Sequence, residues 1–208
     1  MNVLAVGAHF DDIEMGCSGT LIKHVQNRDK VTMLVITNSG YKDPNGIEVR
    51  NTDTASKEGQ MAAKIIGADL VCLDYETFFI PFDDNVTKTI ISYIQNLSID
   101  TIYIPWVHDI HRDHQYAAKN VLMAARHVPR ILMYRCNYYD SEHSFRGNFY
   151  SDISGLFDKK TEVIKANKTE LQRVRYDWLK FIRNQHENDG LRVGVKYAEC
   201  FEVVRYLI

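Results

Sequence analysis

The sequence contains few of the residues that mark several common protein classes. Its four cysteines, Cys17, Cys72, Cys136 and Cys200, lie far apart with no Cys-x-x-Cys pair, so neither a disulfide framework nor a cysteine zinc site is expected. Cys17, Cys72 and Cys200 stand beside apolar or small residues and are expected to be buried free thiols. No apolar run approaches the length of a membrane-spanning helix, so membrane insertion is not expected.

The net charge is small, and the sequence shows no targeting signal. The formal net charge of -2 at pH 7 gives no reason to expect nucleic acid or an anionic membrane as a partner. The apolar run near the start is shorter than a signal peptide requires, so a cytoplasmic protein is expected. The length of 208 residues suits one α/β domain over 1–208, although length alone leaves two small domains open.

Buried apolar segments alternate with amphipathic helical segments along most of the chain. Strands are predicted at 2–7, 30–37, 70–73, 101–105 and 131–134, and helices at about 18–28, 52–66, 83–96 and 112–126. The alternation predicts βαβ units and a mainly parallel sheet. Segment 157–185 predicts one or two helices with Trp178 in the core, and 197–206 alternates like a strand that is covered on one face.

A histidine and paired acids follow the first predicted strand. Gly7 leads into His9, Asp11, Asp12 and Glu14. His9 and Asp12 offer the nitrogen and oxygen ligands that suit a catalytic zinc or a similar divalent metal, which leaves Asp11 as a spare base. Taken alone, the acidic pair fits a helix N-cap equally well.

A second polar cluster follows the fourth predicted strand. It contains His108, Asp109, His111, Asp113 and His114 within seven residues. His111 and His114 share a face if a helix begins here, and Asp113 is placed to orient a neighbouring imidazole. A solvated polar loop is the alternative. Because both clusters follow predicted strands, they are expected to meet in one cleft at the carboxyl edge of the sheet.

The first turn disfavours a phosphate-binding site. A dinucleotide enzyme needs glycines and a free helix N-terminus at this point, whereas the acids that follow Gly7 would repel phosphate. A Walker-type loop and a Gly-x-Ser-x-Gly motif are also absent. The sequence therefore favours metal chemistry over nucleotide binding or serine hydrolysis.

The motifs together resemble the PIG-L/LmbE family of zinc-dependent N-acetyl deacetylases. The resemblance lies in residues 6–17 and 109–114, and in a closing motif formed by Gly190, Gly194, 197–199 and Phe201. It implies a Rossmann-like three-layer α/β/α sandwich with the active site at the carboxyl ends of the strands. It also implies a hydrolase that removes acetate from an N-acetylated amino sugar or an N-acetylglucosaminyl-type conjugate.

The resemblance assigns the metal site position by position. It implies that His9, Asp12 and His114 bind zinc, with water completing an open coordination shell. Other divalent transition metals can replace zinc at such a site. The oligomeric state is open, although members of the family often form homo-oligomers.

The resemblance also assigns the catalytic residues. Asp11 would be the general base and would then return the proton to the leaving amine. His111, in its protonated form, would hold the oxyanion, and Asp113 would keep His111 oriented and charged.

The chain departs from the family pattern at several positions. Phe10 replaces a proline, Ala55 replaces an arginine, and Thr169 and Glu170 replace a serine-glutamine pair. Arg50 is the nearest candidate to replace the missing arginine as a substrate contact. Specificity is expected in the loops at 38–54 and 137–154, and the aromatic residues of the second loop predict either a stacking rim or irregular packing.

A binding module of the same fold that has lost catalysis is the alternative function. The presence of Asp11 beside the proposed ligands argues against it, because binding alone needs no base at that position.

Overall fold

The computed structural model describes all 208 residues, which form nine strands and eight helices. The strands are β1 Asn2–Gly7, β2 Lys30–Thr37, β3 Tyr41–Lys42, β4 Glu48–Arg50, β5 Asp69–Tyr75, β6 Thr101–Pro105, β7 Arg130–Tyr134, β8 Phe149–Asp152 and β9 Ala198–Tyr206. The helices are α1 Asp12–Gly16, α2 Ser18–Gln26, α3 Thr52–Ile66, α4 Asp84–Asn96, α5 Arg112–Ala124, α6 Phe157–Lys165, α7 Lys168–Arg173 and α8 Asp177–Val193. None of these helices combines the length and the apolar character needed to span a bilayer.

Seven strands form one sheet in the order β5-β2-β1-β6-β7-β9-β8, and β3 and β4 form a separate hairpin. The first five strands of this order are parallel to one another, whereas β9 is antiparallel to both β7 and β8. The prediction of a mainly parallel α/β sheet is therefore confirmed.

The sheet separates two hydrophobic layers. Val3 and Ala5 of β1 face a cluster that contains residues of α2, α3, α6 and α8, while Leu4 and Val6 face a cluster that contains residues of α4 and α5. Successive side chains of a strand point to opposite faces, so a central strand that is covered on both sides is apolar throughout. This arrangement gives the three-layer sandwich that the family resemblance implies.

The topology brings the ends of β1 and β6 together. From β1 the chain passes outward to β2 and β5, then returns across the sheet to β6, which pairs with β1 on its other side. Segments that leave the carboxyl ends of two such neighbouring strands form a crevice, the usual ligand site of open α/β sheets. The first polar cluster of the sequence follows β1 and the second follows β6, so both lie at this crevice.

Several element boundaries differ from the prediction. Helix α1 was not predicted; Cys17, with φ -146, separates it from α2. Helix α4 begins at Asp84 because the Asp83 carboxylate caps it, accepting hydrogen bonds from the amides of Asn85 and Val86. The segment 157–185 contains two complete helices and the start of a third.

Three side chains or segments lie in other environments than expected. Cys72 is exposed rather than buried, because β5 is an edge strand of the sheet. Trp178 is only half-buried: it packs against the edge of the core and also lines a cavity. Within 137–154, β8 extends the sheet as an edge strand beside β9.

The closing motif has a structural role. Buried Glu199 accepts hydrogen bonds from the amides of Gly19 and Thr20 at 2.8 and 2.7 Å, and its carboxylate contacts Lys160 Nζ at 2.5 Å. Lys160 Nζ also donates to the Met15 carbonyl at 2.7 Å. A carboxylate is favoured at the start of a helix, so Glu199 fixes the α1–α2 junction to β9.

Candidate metal centre and active site

The carboxylate of Asp12 is held rigidly at the carboxyl end of β1. Its Oδ2 accepts hydrogen bonds from the amides of Ala8 and His9, both at 2.9 Å. Its Oδ1 lies 3.1 Å from Nε2 of His114. Burial alone raises the pKa of Asp12, but His114 and His9 together lower it well below its usual range. Asp12 is therefore ionised, and one of its oxygens faces His114.

His114 lies in the first turn of α5 and is fixed from behind. Its Nδ1 is 3.2 Å from Oδ2 of Asp109, whose carboxylate also accepts from the His111 amide and from Nδ2 of Asn137, each at 2.7 Å. A carboxylate behind a metal-binding histidine fixes the ring and makes it a better ligand. Nε2 of His114 is left facing Asp12.

His9 has a similar arrangement. Its Nδ1 lies 3.6 Å from Oδ2 of Asp12, and its Nε2 lies 3.1 Å from Oδ2 of Asp113. Phe78 donates its backbone amide to the same Asp113 oxygen at 2.6 Å. Asp113 thus supports His9, as Asp109 supports His114.

The donor chemistry of these residues fits a divalent metal ion. Candidate ligand atoms of His9, His111 and His114 lie within 4.8 Å of one another, and Asp12 contacts two of these rings. Burial lowers the pKa of both His9 and His114, yet the neighbouring carboxylates raise that of His9 to about 9 and that of His114 well above its usual value. The cluster therefore favours positive charge, and imidazole and carboxylate are suitable ligands for zinc.

Asp11 stands at the rim of this cluster in a strained conformation. Its φ is 131°, a region that residues other than glycine rarely adopt and that is common at functional sites. Its amide donates to Oε2 of Glu14 at 3.1 Å, and its Oδ2 lies 3.4 Å from Nη1 of Arg50. Burial raises the pKa of Asp11, Arg50 opposes this and Asp12 adds to it. The proposed base thus shares the cluster with the proposed ligands.

The arrangement around His111 differs from the expectation. The Asp113 carboxylate contacts His9, and only the Asp113 backbone amide reaches His111, donating to Nδ1 at 3.2 Å. Burial, together with nearby His114 and His9, lowers the pKa of His111 to about 4. This lowered pKa favours a neutral His111 with its proton on Nε2, and the structure places the Asp113 carboxylate against His9 instead of His111.

Arg50 is a buried clamp behind Asp11. Its guanidinium donates to the Phe10 carbonyl at 2.9 Å, contacts Glu58 at 3.1 Å and donates to Asn167 at 3.1 Å. It also lines the cavity. These contacts show that Arg50 positions the Asp11 loop, and a substrate contact by Arg50 stays a prediction.

The two clusters open into a cavity of about 420 Å³. Its wall combines aromatic and other apolar side chains with polar ones. Ser39, Tyr41 and Asn137 belong to the two loops where specificity is expected. Sequence reasoning assigned no site role to eight other lining residues: Met15, Thr77, Phe78, Ile110, Cys136, Glu170, Arg173 and Trp178. Cys136 had a usable signal, because it follows a predicted strand as the two clusters do. Thr77 and Phe78 lie in the loop between β5 and α4 and carried no motif.

Known proteins match both the sequence and the structure. Residues 4–125 match the family model described as PIG-L, GlcNAc-PI de-N-acetylase. Diacetylchitobiose deacetylase from Thermococcus kodakarensis is 23% identical, with 97% of this chain and 82% of that protein covered. N,N'-diacetylchitobiose deacetylase from Pyrococcus horikoshii has a TM-score of 0.84 at 19% identity, covering 98% of this chain and 83% of that one.

The same fold also occurs in a protein of different activity. GalB from Pseudomonas putida, a 4-carboxy-2-hydroxymuconate hydratase, matches with a TM-score of 0.82 at 16% identity and covers 100% of this chain and 98% of its own. A shared fold alone therefore leaves the reaction undecided.

The sheet and its histidine-carboxylate cluster define an α/β protein with a candidate metal centre. Because the family model matches more than half of its residues, the chain belongs to the PIG-L family of de-N-acetylases. The resemblance seen in the sequence is thereby confirmed.

Proposed function

We propose that this chain is a zinc-dependent N-deacetylase that releases acetate from an N-acetylated amino sugar or a conjugate of one. The observation that carries the proposal is that Asp11 lines the same cavity as His9, Asp12 and His114. A metal-binding site alone needs no additional base in strained backbone. Family membership supports the amide as the bond that is cleaved.

His9, Asp12 and His114 are the residues that would hold the metal, through Nδ1, a carboxylate oxygen and Nε2 respectively. When bound, a divalent metal supplies Lewis-acid activation of water and of the amide carbonyl. Asp113 and Asp109 keep the two imidazoles in the orientation that this requires.

Asp11 accepts the proton of the attacking water and then delivers it to the amide nitrogen as the C–N bond breaks. Arg50 holds the Asp11 loop in place through the Phe10 carbonyl. Neutral His111 presents its Nε2 proton to the acyl oxygen, where negative charge develops. Water is thus consumed, and acetate and a free amine are formed.

The cavity suits a sugar that carries an acetamido group. Tyr138, Tyr139 and Trp178 supply aromatic surface, and Glu170 and Arg173 supply polar groups, on its wall. The related enzymes named above are deacetylases of diacetylchitobiose, which supports an N-acetylglucosamine-type substrate. We further propose that 1–208 act as one deacetylase domain, because β1 and β9 belong to one sheet.

The test is acetate release from a panel of N-acetylated sugars and conjugates, by protein of known metal content, with and without a chelator. Release that the chelator abolishes and added zinc restores is expected. Asp11→Asn protein loaded with the same metal is the matched control and is expected to release little acetate. If metal-loaded protein releases no acetate from any compound, the proposal fails, and a hydratase or a binding module of this fold becomes the better assignment.

A further inference from the structure

Two candidate metal-ligand groups overlap in the structure. The first, His9, His111 and His114, includes two half-buried rings at the cavity, whereas the second, Asp12, His114 and Cys136, is entirely buried. The deacetylase mechanism has no use for Cys136. Because the second group contains a sulfur atom and the first does not, the two groups differ in the metals that they favour.

Cys136 reaches the cluster from a third strand end. It lies two residues beyond β7, which pairs with β6 in parallel up to Tyr134. Its Sγ is 3.6 Å from Oδ1 of Asp12 and 3.6 Å from Nδ1 of His114. The thiol is buried and lies against two of the three proposed zinc ligands.

These separations fit coordination of a common ion. A metal that lies about 2.3 Å from a sulfur and about 2.0 Å from an oxygen or nitrogen in a tetrahedral site keeps the two ligand atoms about 3.5 Å apart. The Sγ–Oδ1 distance of 3.6 Å is close to this value, and Oδ1 of Asp12 lies 3.1 Å from Nε2 of His114, the ring nitrogen that does not contact Asp109. Ligand atoms of all three residues lie within 4.8 Å of one another. A small buried cysteine that only fills space needs no such contacts.

We propose that Asp12, His114 and Cys136 form a second, thiolate-containing site that binds a thiophilic divalent cation such as Cd²⁺. The ion replaces the thiol proton, which is released to solvent, and forms a metal–sulfur bond. The site shares Asp12 and His114 with the proposed zinc site, so an ion bound there withdraws two of the three zinc ligands. Occupation of this site therefore inhibits deacetylation. The inhibition rests on the proposed function, but the binding of the ion to this site does not depend on it.

The binding test follows the ultraviolet thiolate-to-cadmium charge-transfer band as metal-free protein is titrated with Cd²⁺. Cys72→Ser is the background, because Cys72 is an exposed thiol. The band is expected to saturate at one equivalent in this background and to be absent when Cys136→Ser or Cys136→Ala is added. Cys200→Ser, which removes a buried thiol outside the cluster, is the matched control and is expected to keep the band.

Absence of the band in the Cys72→Ser background overturns the proposal, and so does an undiminished band in folded Cys136 variants, checked by circular dichroism. With an active preparation, Cys136→Ser should raise the Cd²⁺ concentration for half-inhibition by about tenfold or more, the scale of losing a metal-contacting group. The absorption titration needs no substrate, so its result is independent of whether the deacetylase proposal holds.

Discussion

The assignment of Asp113 to His9 can be tested by Asp113→Asn. The carboxylate is buried, and its Oδ2 accepts from His9 Nε2 at 3.1 Å and from the Phe78 amide at 2.6 Å. Asparagine keeps the shape of the side chain but removes the negative charge. That charge favours a proton on Nε2 of His9 and so leaves Nδ1 of His9 free to bind a metal. Loss of such a partner weakens metal binding by about 10–100-fold, which corresponds to about 1.4–2.7 kcal/mol.

The assay is a competition titration of zinc against a chromophoric chelator. Asp109→Asn is the matched variant, since Asp109 contacts Nδ1 of His114 at 3.2 Å, and a similar loss of affinity is expected. Asp158→Asn, in the exposed first turn of α6, is the neutral control and should bind zinc like the wild type.

The opposite result has a definite meaning. If Asp113→Asn binds zinc normally and only kcat falls, the carboxylate acts through His111, as the family resemblance implies. The contact with His9 in the structure would then be irrelevant to the metal, and the reasoning from it would be refuted.

Three further variants test other parts of the site and fold. Asp11→Asn should keep its metal and lose about 10²–10⁴-fold in kcat, because it removes the general base; full turnover with full metal content would exclude that role. His114→Ala should lose bound zinc, and an unchanged zinc content by elemental analysis would remove His114 from the ligand set. His186 is buried, and burial holds its pKa well below the usual value, so folding requires the neutral ring. Neutral His186 makes its full contribution to the free energy of unfolding above about pH 6.5, and below that pH the contribution decreases by up to about 1.4 kcal/mol per pH unit. In urea unfolding experiments, His186→Leu should therefore lose less stability than the wild type as the pH is lowered. An identical dependence on acid pH in the two proteins would contradict this.

The central elements of the fold could be predicted because their sequences are locally unambiguous. β1, β2, β6 and α3 have the predicted bounds, since continuous apolar runs between turns favour buried parallel strands, and Gly67 with φ 86 ends α3 as expected. The late helices were harder. Arg175 and Tyr176, in the turn before α8, have positive φ. Arginine and tyrosine rarely adopt this conformation, so the sequence does not predict it.

The clustering of His9, Asp12 and His114 could be predicted from two short motifs, but the contacts that support these side chains could not. His9, Asp12 and His114 meet because β1 and β6 are neighbours. The alternation of strands and helices predicts that the carboxyl ends of both strands share one edge of the sheet, but not that the two strands are adjacent. Which carboxylate supports which imidazole depends on the angle at which α5 leaves β6, and no residue pattern encodes that angle. Asp113 consequently faces His9 across the cleft rather than His111 two residues away.

The positions where local rules fail carry information about function. Asp11 and Phe78 both have positive φ, 131° and 73°, although neither residue favours that region. The first carries the proposed base, and the second donates its amide to Asp113 behind His9. Such strain persists only where surrounding contacts fix it, and Arg50 supplies those contacts for the Asp11 loop. The strained backbone at both positions therefore places polar atoms around the proposed metal centre. Residue propensity does not include that requirement, so it could not predict either conformation.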